Sequence, residues 1–280
     1  MRRSLDPVRM VVATTLVALV GAACSSGSGA SHSVAASGGP STTPVELTVY
    51  AASSLTGAFT ALATGYANAY PGSKITLAFG ASSTMRTQIE QGAPADVFAS
   101  ADTANPQKLA DEGQAAGSPR VFAANRLTII VPASGLSAVT TPADLARSGV
   151  KVVAAGDSVP ISTYATQLVA KLAGQPGYPA DFAARVAANV VSREDNVKAV
   201  VAKIELGEGD AAIVYSTDAR TSTRVRTVDV PPAADVAVSY AAVVVKASQH
   251  AAEAQAFLDW LTGADARAIM ATFGFLPPPR

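Results

Sequence analysis

Hydrophobic and polar positions follow two different patterns that take turns along most of the chain. Short, mostly apolar runs, such as residues 47–51 and 126–131, predict buried strands. Apolar residues three and four positions apart, as in residues 55–69, predict helices that bury one face. From residue 46 onward the two kinds of element alternate. This order is typical of α/β proteins, in which helices cover mostly parallel sheets.

The same patterns place each element along the chain. The predicted strands are residues 47–51, 74–79, 96–99, 126–131, 150–154, 189–191, 211–215, 224–230 and 236–245. The predicted helices are residues 55–69, 84–91, 105–112, 142–147, 162–172, 195–206, 250–262 and 264–273. The strand at 126–131 opens a second stretch of the same type as the first, which indicates two α/β halves.

Hydroxyl groups recur in the loops that follow the predicted strands. In open α/β sheets, ligands bind beyond the carboxyl ends of the strands, where loops lead into helices. Five such loops carry serine, threonine or tyrosine at or near the start of a helix, and they are residues 52–56, 80–84, 157–162, 192–197 and 215–218. We therefore expect the chemistry of this protein to lie in these loops.

A helix start of this kind is suited to an anion. Its first N–H groups have no partner within the helix, and the helix dipole adds partial positive charge. One serine at one helix start is explained as well by simple capping. The whole set is more informative, because Ser53-Ser54 and Ser82-Ser83 lie in the first half and three further helix starts in the second. Neutral donors suit a fully ionised oxyanion, whereas a protonated phosphate also needs an acceptor.

Composition narrows the class of protein further. A chain of 280 residues is long enough for two domains. Hydrophobic residues make up 49% and charged residues 15%, which excludes an intrinsically disordered chain. Basic and acidic residues balance at 21 each, so nothing favours binding to nucleic acid. One cysteine and two histidines exclude an internal disulfide and zinc sites built from clusters of these residues.

Nucleophilic catalysis has little support in the sequence. There is no Gly-x-Ser-x-Gly turn, and Ser148 and Lys151 match a Ser-x-x-Lys motif only by spacing, because Gly149 places them in a loop. His250 is expected to be a solvated residue near the start of a late helix. Asp96 and Asp102 are expected to cap or to stabilise the fold.

The N-terminal segment has the features of an export signal. Three arginines precede an apolar run over residues 10–23, which is shorter than the about 20 residues of a spanning helix. Cys24 follows Gly21-Ala22-Ala23, as in bacterial lipoprotein signals; ordinary secretion with a coincidental cysteine is the alternative. We predict a signal peptide over 1–23, a lipid on Cys24, and a flexible tether over 24–44 that holds the protein outside the cytoplasm at the cell membrane.

Several segments together resemble the molybdate-binding proteins of bacterial ABC importers. They are VYAASSLT at 49–56, FGASST at 79–84, QGAPADVFASAD at 91–102, GDSVP at 156–160, EDNV at 194–197 and GDAAIVY at 209–215. The resemblance extends from about residue 47 to residue 275. It implies the type II periplasmic-binding-protein fold, an α/β fold with two lobes joined by a two-stranded hinge and the ligand in the cleft. The lobes would be residues 45–123 with 236–280, and residues 124–235.

The resemblance also implies a function and a set of contacts. The protein would be a non-enzymatic receptor, a monomer without a cofactor, that captures molybdate or tungstate and delivers it to an ABC permease. No residue would ligate a metal cation directly. Ser54 and Ser82 would donate hydroxyl and backbone N–H groups, Ile161 and Val197 backbone N–H groups, and Tyr215 its phenolic hydroxyl. Ser54 rather than Ser53 is chosen because Leu55-Thr56 follows it.

Two alternatives stay open at this point. A receptor of the same fold could bind sulfate, phosphate or an organic anion, since the Gly-Ala-Pro-Ala-Asp segment also occurs in such relatives. The absence of an arginine or carboxylate from the implied contacts favours molybdate. A secreted serine-dependent hydrolase would need a general base beside Ser54 or Ser82, and no histidine is placed to serve.

Overall fold

The strands of this protein form two mixed sheets. The computed structural model describes residues 45–135 and 137–279. The strands are β1 (Glu46–Ala52), β2 (Lys74–Gly80), β3 (Val97–Ser100), β4 (Arg120–Asn125), β5 (Leu127–Pro132), β6 (Val152–Ala155), β7 (Val190–Glu194), β8 (Ala211–Tyr215), β9 (Val225–Val228) and β10 (Val238–Val244). The first sheet has the order β2-β1-β3-β10-β4 and the second the order β7-β6-β8-β5-β9.

Helices connect these strands in the expected alternation. They are α1 (Thr56–Ala69), α2 (Ser82–Glu90), α3 (Ala104–Asp111), α4 (Pro160–Ala173), α5 (Phe182–Ala188), α6 (Val197–Glu205), α7 (Ser216–Arg220), α8 (Ala251–Leu261) and α9 (Ala264–Thr272). Short 3₁₀ helices cover Ser53–Leu55, Pro142–Ala146 and Pro232–Ala234. The α/β fold predicted from the sequence is confirmed.

The first sheet is parallel at one side and antiparallel at the other. β1 pairs in parallel with β2 and β3, whereas β10 runs antiparallel to both β3 and β4. Buried apolar residues of β1 belong to the same hydrophobic core as Phe59 and Leu62 of α1, which are fully buried. This burial of one helix face explains the spacing of apolar residues in α1.

The second sheet has the same mixture of directions. β6 pairs in parallel with β7 and β8, and β5 runs antiparallel to β8 and β9. Every residue of β8 is buried, which explains its uninterrupted apolar run. Its bounds, Ala211–Tyr215, are those that the sequence predicts.

The chain passes between the two sheets at adjacent positions. It leaves the first sheet at Asn125, the last residue of β4, and enters the second at Leu127. It returns after β9 and begins β10 at Val238, which is the register partner of Asn125. The C-terminal part of the chain thus completes the first sheet, and both crossings lie side by side.

Some elements differ from those predicted. β4 and α5 were not predicted, α7 was predicted only as a helix start at residues 215–218, and the segment 142–147, predicted as a helix, is largely a 3₁₀ helix. Asp96 accepts hydrogen bonds from the Thr48 N–H and the Ser248 hydroxyl, and Asp102 accepts one from the Asn105 N–H at the start of α3. Both carboxylates therefore have the structural roles expected of them.

The predictions for the N-terminal segment concern residues outside the part of the chain that the structure describes. These are the signal peptide over 1–23, the lipid on Cys24 and the tether over 24–44. Among the helices that the structure describes, none has the length and apolar character needed to cross a membrane.

Candidate functional site

The five residues predicted to contact the ligand surround one small cavity. Ser54, Ser82, Ile161, Val197 and Tyr215 all line it. The first two follow strands of the first sheet, Ile161 and Val197 follow strands of the second, and Tyr215 is the last residue of β8 in that second sheet. The cavity measures about 10 Å³, about the volume that a single ordered water needs. Loops more than a hundred positions apart in the sequence therefore meet at one point.

Ser54 and Ser82 are brought together by two neighbouring parallel strands. Ser54 lies in the 3₁₀ helix directly after β1, and Ser82 is the first residue of α2 after β2. Ala52 and Gly80, at the ends of these strands, are register partners. Since parallel strands end at the same edge of a sheet, the two serines face the same cavity. Their exposed fractions are 7% and 1%.

The oxygens of both serines already accept a hydrogen bond from the protein. The backbone N–H of Ala101 donates to Oγ of Ser82 at 3.1 Å, and the hydroxyl of Tyr240 donates to Oγ of Ser54 at 3.3 Å. A serine hydroxyl has one proton to donate and lone pairs that accept. Each serine thus keeps its own proton available for an acceptor in the cavity.

The second half of the chain contributes helix starts. Ile161 lies in the first turn of α4, and Val197 is the first residue of α6. Backbone N–H groups in a first turn lack an acceptor within their own helix. The side chain of Asn196, at the N-cap of α6, accepts a hydrogen bond from the Ala199 N–H at 3.1 Å. This cap holds the start of α6 in place beside the cavity.

A further hydroxyl fixes the loop before α4. Ser162 Oγ lies 2.9 Å from the carbonyl oxygens of both Ala155 and Gly156, which share its single hydroxyl proton as acceptors. The hydroxyl of Ser162 therefore stabilises the backbone of this loop and is not a donor to the cavity. This explains the serine at the end of the loop at 157–162 in structural terms.

Tyr215 has a buried hydroxyl without a partner. It ends β8 and is 1% exposed, and no hydrogen-bond partner for its hydroxyl lies among the described residues. Burial raises the pKa of Tyr215 well above its ordinary value, and the nearby Tyr240, Tyr164 and Asp218 raise it further. The hydroxyl is therefore neutral and able to donate at physiological pH. A buried polar atom left unpaired is costly, so this hydroxyl points to a ligand.

The lining of the cavity carries no charge among the residues that the structure describes. One ion pair joins residues next in sequence or close to the lining: Nζ of Lys198 lies 2.9 Å from Oδ1 of the fully buried Asp218. Burial raises the pKa of Asp218, and Lys198 opposes that rise. Because Lys198 follows Val197 and Asp218 lies in α7 after Tyr215, the pair connects two helices that each begin at or directly after a lining residue.

The residues considered for catalysis lie elsewhere. Ser148 is exposed in a turn and Lys151 is exposed beyond it, so their spacing does not place them on one helical turn. His250 lies at the N-cap position of α8 and is half-buried. Within the described residues, no histidine lines the cavity.

Two residues near the cavity were missed by the sequence analysis. Tyr240 in β10 and Asn125 at the end of β4 are buried and hydrogen-bonded, and Tyr240 contacts Ser54 directly. In the sequence each of them is visible only as a polar residue in a mostly apolar strand. This pattern does not reveal a partner 186 positions away.

Comparison with known proteins identifies the family to which this chain belongs. Residues 47–276 match the family model described as bacterial extracellular solute-binding protein. The chain is 37% identical to the molybdate-binding protein ModA of Mycobacterium tuberculosis strain ATCC 25618 / H37Rv over 91% of this chain and 92% of that protein.

Two solved structures have the same fold. The periplasmic molybdate-binding protein of Azotobacter vinelandii is 25% identical, with a TM-score of 0.70 over 83% of this chain and 100% of that one. The sulfate-binding protein SubI of M. tuberculosis H37Rv has a TM-score of 0.72 at 20% identity, over 83% of this chain and 87% of that one, which supports the fold alone. With its matching family model, its relative and the two-sheet fold, the chain belongs to the family of bacterial extracellular solute-binding proteins.

Proposed function

We propose that this protein is an extracytoplasmic receptor that captures molybdate, and with the same donors tungstate, and delivers it to the permease of an ABC importer. The observation that carries the proposal is the buried hydroxyl of Tyr215, which has no partner among the described residues and lies at a cavity with an uncharged lining. The relatives named molybdate-binding proteins support the same ligand. Such a receptor binds and releases its ligand without chemical change and needs no cofactor.

The proposed contacts are Ser54, Ser82, Ile161, Val197 and Tyr215. Molybdate is a dianion at neutral pH and offers only acceptors, so a cage of neutral donors satisfies it. The serine hydroxyls, the backbone N–H groups at the helix starts and the phenolic hydroxyl supply such donors. Hydrogen bonds to a charged ligand contribute about 1.5–3 kcal/mol each. A few of them account for selective binding without a countercharge at the contacts.

Sulfate is the strongest competing ligand. The likeness to the sulfate-binding protein SubI shows that the fold alone does not separate the two anions. Sulfate is a smaller dianion, so a cage of fixed donors leaves some of them too far from its oxygens. Two lost hydrogen bonds, at about 1.5 kcal/mol or more each, give at least about a hundredfold preference for molybdate.

Titration calorimetry with molybdate, tungstate, sulfate and phosphate tests this proposal. We expect nearly equal affinities for molybdate and tungstate, which are similar in size, and much weaker binding of sulfate. Phosphate carries a proton near neutral pH, and no carboxylate lines the cavity among the residues with a described structure, so phosphate should also bind weakly. Equal affinity for sulfate and molybdate would contradict the assignment.

We also propose that the two sheets mark two lobes, residues 45–123 with 236–280 and residues 124–235. The strand orders and the adjacent crossings at Asn125 and Val238 support this division. β4 extends two residues past the boundary at residue 123 and ends at Asn125. Because the cavity between the contacts has room for about one water, the lobes must separate for a larger anion to enter. A monomer is sufficient for this motion, since every proposed contact comes from one chain.

Attachment to the membrane is a separate proposal that rests on the N-terminal sequence. Cleavage before Cys24 and a lipid on its thiol would leave residues 25–44 as a tether rich in serine, glycine and alanine. Replacing Cys24→Ala should move the protein from the membrane fraction to the soluble fraction. A variant that still sediments with membranes would show that the anchor lies elsewhere.

A further inference from the structure

Four buried polar side chains form a continuous hydrogen-bonded row across the junction of the two sheets. The row runs from Ser54 through Tyr240 and Asn125 to Thr217, and their exposed fractions are 7%, 0%, 2% and 3%. Tyr240 and Asn125 lie on neighbouring strands of the first sheet, and Thr217 lies in α7, two residues after Tyr215. The row therefore connects one proposed contact to the helix that follows another.

A backbone group determines which atoms of the row donate hydrogen bonds and which accept them. The N–H of Arg126 donates to Oδ1 of Asn125 at 2.9 Å, and a backbone N–H can only donate. The amide of Asn125 is thereby fixed, and its Nδ2 donates to Oγ1 of Thr217 at 2.8 Å and to the Tyr240 hydroxyl at 3.3 Å. Since the Tyr240 oxygen accepts a hydrogen bond from Asn125, its own O–H group is directed to Oγ of Ser54 at 3.3 Å.

The ring of Tyr240 has little freedom to leave this position. Its centroid lies 5.6 Å from that of Tyr215, 5.3 Å from that of Phe275 and 6.2 Å from that of Phe122. Burial raises the pKa of Tyr240 well above its ordinary value, so its hydroxyl keeps its proton. The hydroxyl is a fixed donor to Ser54.

We propose that Tyr240 is a positioning residue for the anion site, which turns the hydroxyl proton of Ser54 toward the ligand by occupying the serine oxygen as a donor. The proposal rests on the proposed function, because it assigns Ser54 as a contact of the oxyanion. An oxyanion offers only acceptors, so a serine that presented a lone pair would repel it. Asn125, where the chain first leaves the first sheet, determines which groups of the row donate and which accept.

Titration calorimetry on Tyr240→Phe tests this role, because the substitution removes the hydroxyl and keeps the buried ring. We expect molybdate binding about tenfold weaker than in the unchanged protein, the effect of a weakened hydrogen bond to a charged group. Tyr66→Phe is the matched control: Tyr66 is 3% exposed and lies in α1 against Phe257 and Trp260, away from the cavity. That control should bind molybdate unchanged.

A double-mutant cycle with Ser54→Ala separates positioning from a general structural effect. If Tyr240 acts through Ser54, Tyr240→Phe should weaken binding no further once the Ser54 hydroxyl is gone. An equal loss in both backgrounds, or no loss in the unchanged background, would overturn the proposal. Thermal unfolding of the unchanged protein, the two single variants and the double variant shows whether any loss of affinity follows a loss of folded protein. If the unchanged protein binds no molybdate, the proposed function fails instead.

Discussion

The two halves of the chain supply donors to the same cavity by different means. On the side of the first sheet, Ser54 and Ser82 contribute hydroxyls whose oxygens are held by other donors. On the side of the second sheet, Ile161 and Val197 have apolar, buried side chains, and what they offer is the backbone of a helix start. The first side depends on side-chain identity, whereas the second depends on local backbone geometry.

Substitutions of side chains should therefore affect the two sides differently. A backbone donor persists when its side chain changes, provided that the turn before it is preserved. Two side chains stabilise the turns of the second side. The hydroxyl of Ser162 lies within hydrogen-bond distance of the carbonyl oxygens of Ala155 and Gly156, and the side chain of Asn196 caps α6. Tyr215 is the exception on that side, because its donor is a side-chain hydroxyl.

Removing both hydroxyls of the first side should have the largest effect. In Ser54→Ala with Ser82→Ala, two hydrogen bonds to a charged ligand are lost, so molybdate should bind at least about a hundredfold more weakly by calorimetry. Each single variant should account for part of the loss. Ser148→Ala, in an exposed turn, is the control and should bind as the unchanged protein does. Tight binding by the double variant would show that backbone groups alone hold the anion.

Tyr215→Phe should have the next largest effect. It removes one donor, so the affinity for molybdate should fall about tenfold or more. The folded protein without ligand should not lose stability, because the hydroxyl has no partner among the described residues. Tyr178→Phe, in contact with Phe182 and away from the cavity, is the matched control in the same half. A Tyr215→Phe variant with unchanged affinity would remove Tyr215 from the contacts.

A smaller effect is expected where only the geometry of the second side is disturbed. Asn196→Ala removes the cap of α6 and should cost about 1 kcal/mol in the free energy of unfolding. It should also weaken molybdate binding a few-fold, because the N–H of Val197 then lies in a fraying turn. Ile161→Val keeps the backbone and should leave the affinity unchanged. A larger loss in Ile161→Val than in Asn196→Ala would contradict the division into side-chain and backbone donors.

Much of the fold and the placement of the five candidate residues could be predicted from local sequence. Continuous apolar runs such as that of β8 specify buried strands, and the ends of parallel strands specify where loops converge. The gathering of Ser54, Ser82, Ile161, Val197 and Tyr215 at one cavity follows from this rule and the family resemblance. Their contact with an anion stays a prediction.

The remaining features depend on long-range contacts. β4 was missed because one residue, Arg126, separates it from the stronger apolar run of β5. Tyr240 reaches Ser54 only because β10 inserts between β3 and β4, a pairing between distant parts of the chain. The ion pair of Lys198 with Asp218 likewise joins two helices whose contact no local pattern reveals.

The smallest effect on binding is expected from pH, although folding should respond to acid. The proposed donors on both sides are neutral, and the raised pKa of Tyr215 keeps its proton in place, so molybdate affinity should be nearly constant between about pH 7 and pH 9. A steep change in this range would show that an ionising group takes part.

Asp144 shows why acid should act on folding. Burial raises the pKa of its carboxyl, but hydrogen bonds from the N–H and hydroxyl groups of Thr140 and Thr141 outweigh this and lower the pKa from 3.8 to about 2. A lowered native pKa stabilises the fold above the unfolded value, and this contribution, about 2 kcal/mol, is lost as the pH falls from about 4 to about 2. Asp144→Asn should reduce the acid dependence of the denaturant midpoint over this range, and its molybdate affinity at neutral pH should be unchanged, because Asp144 does not line the cavity. An identical acid dependence in both proteins would assign it to other carboxylates.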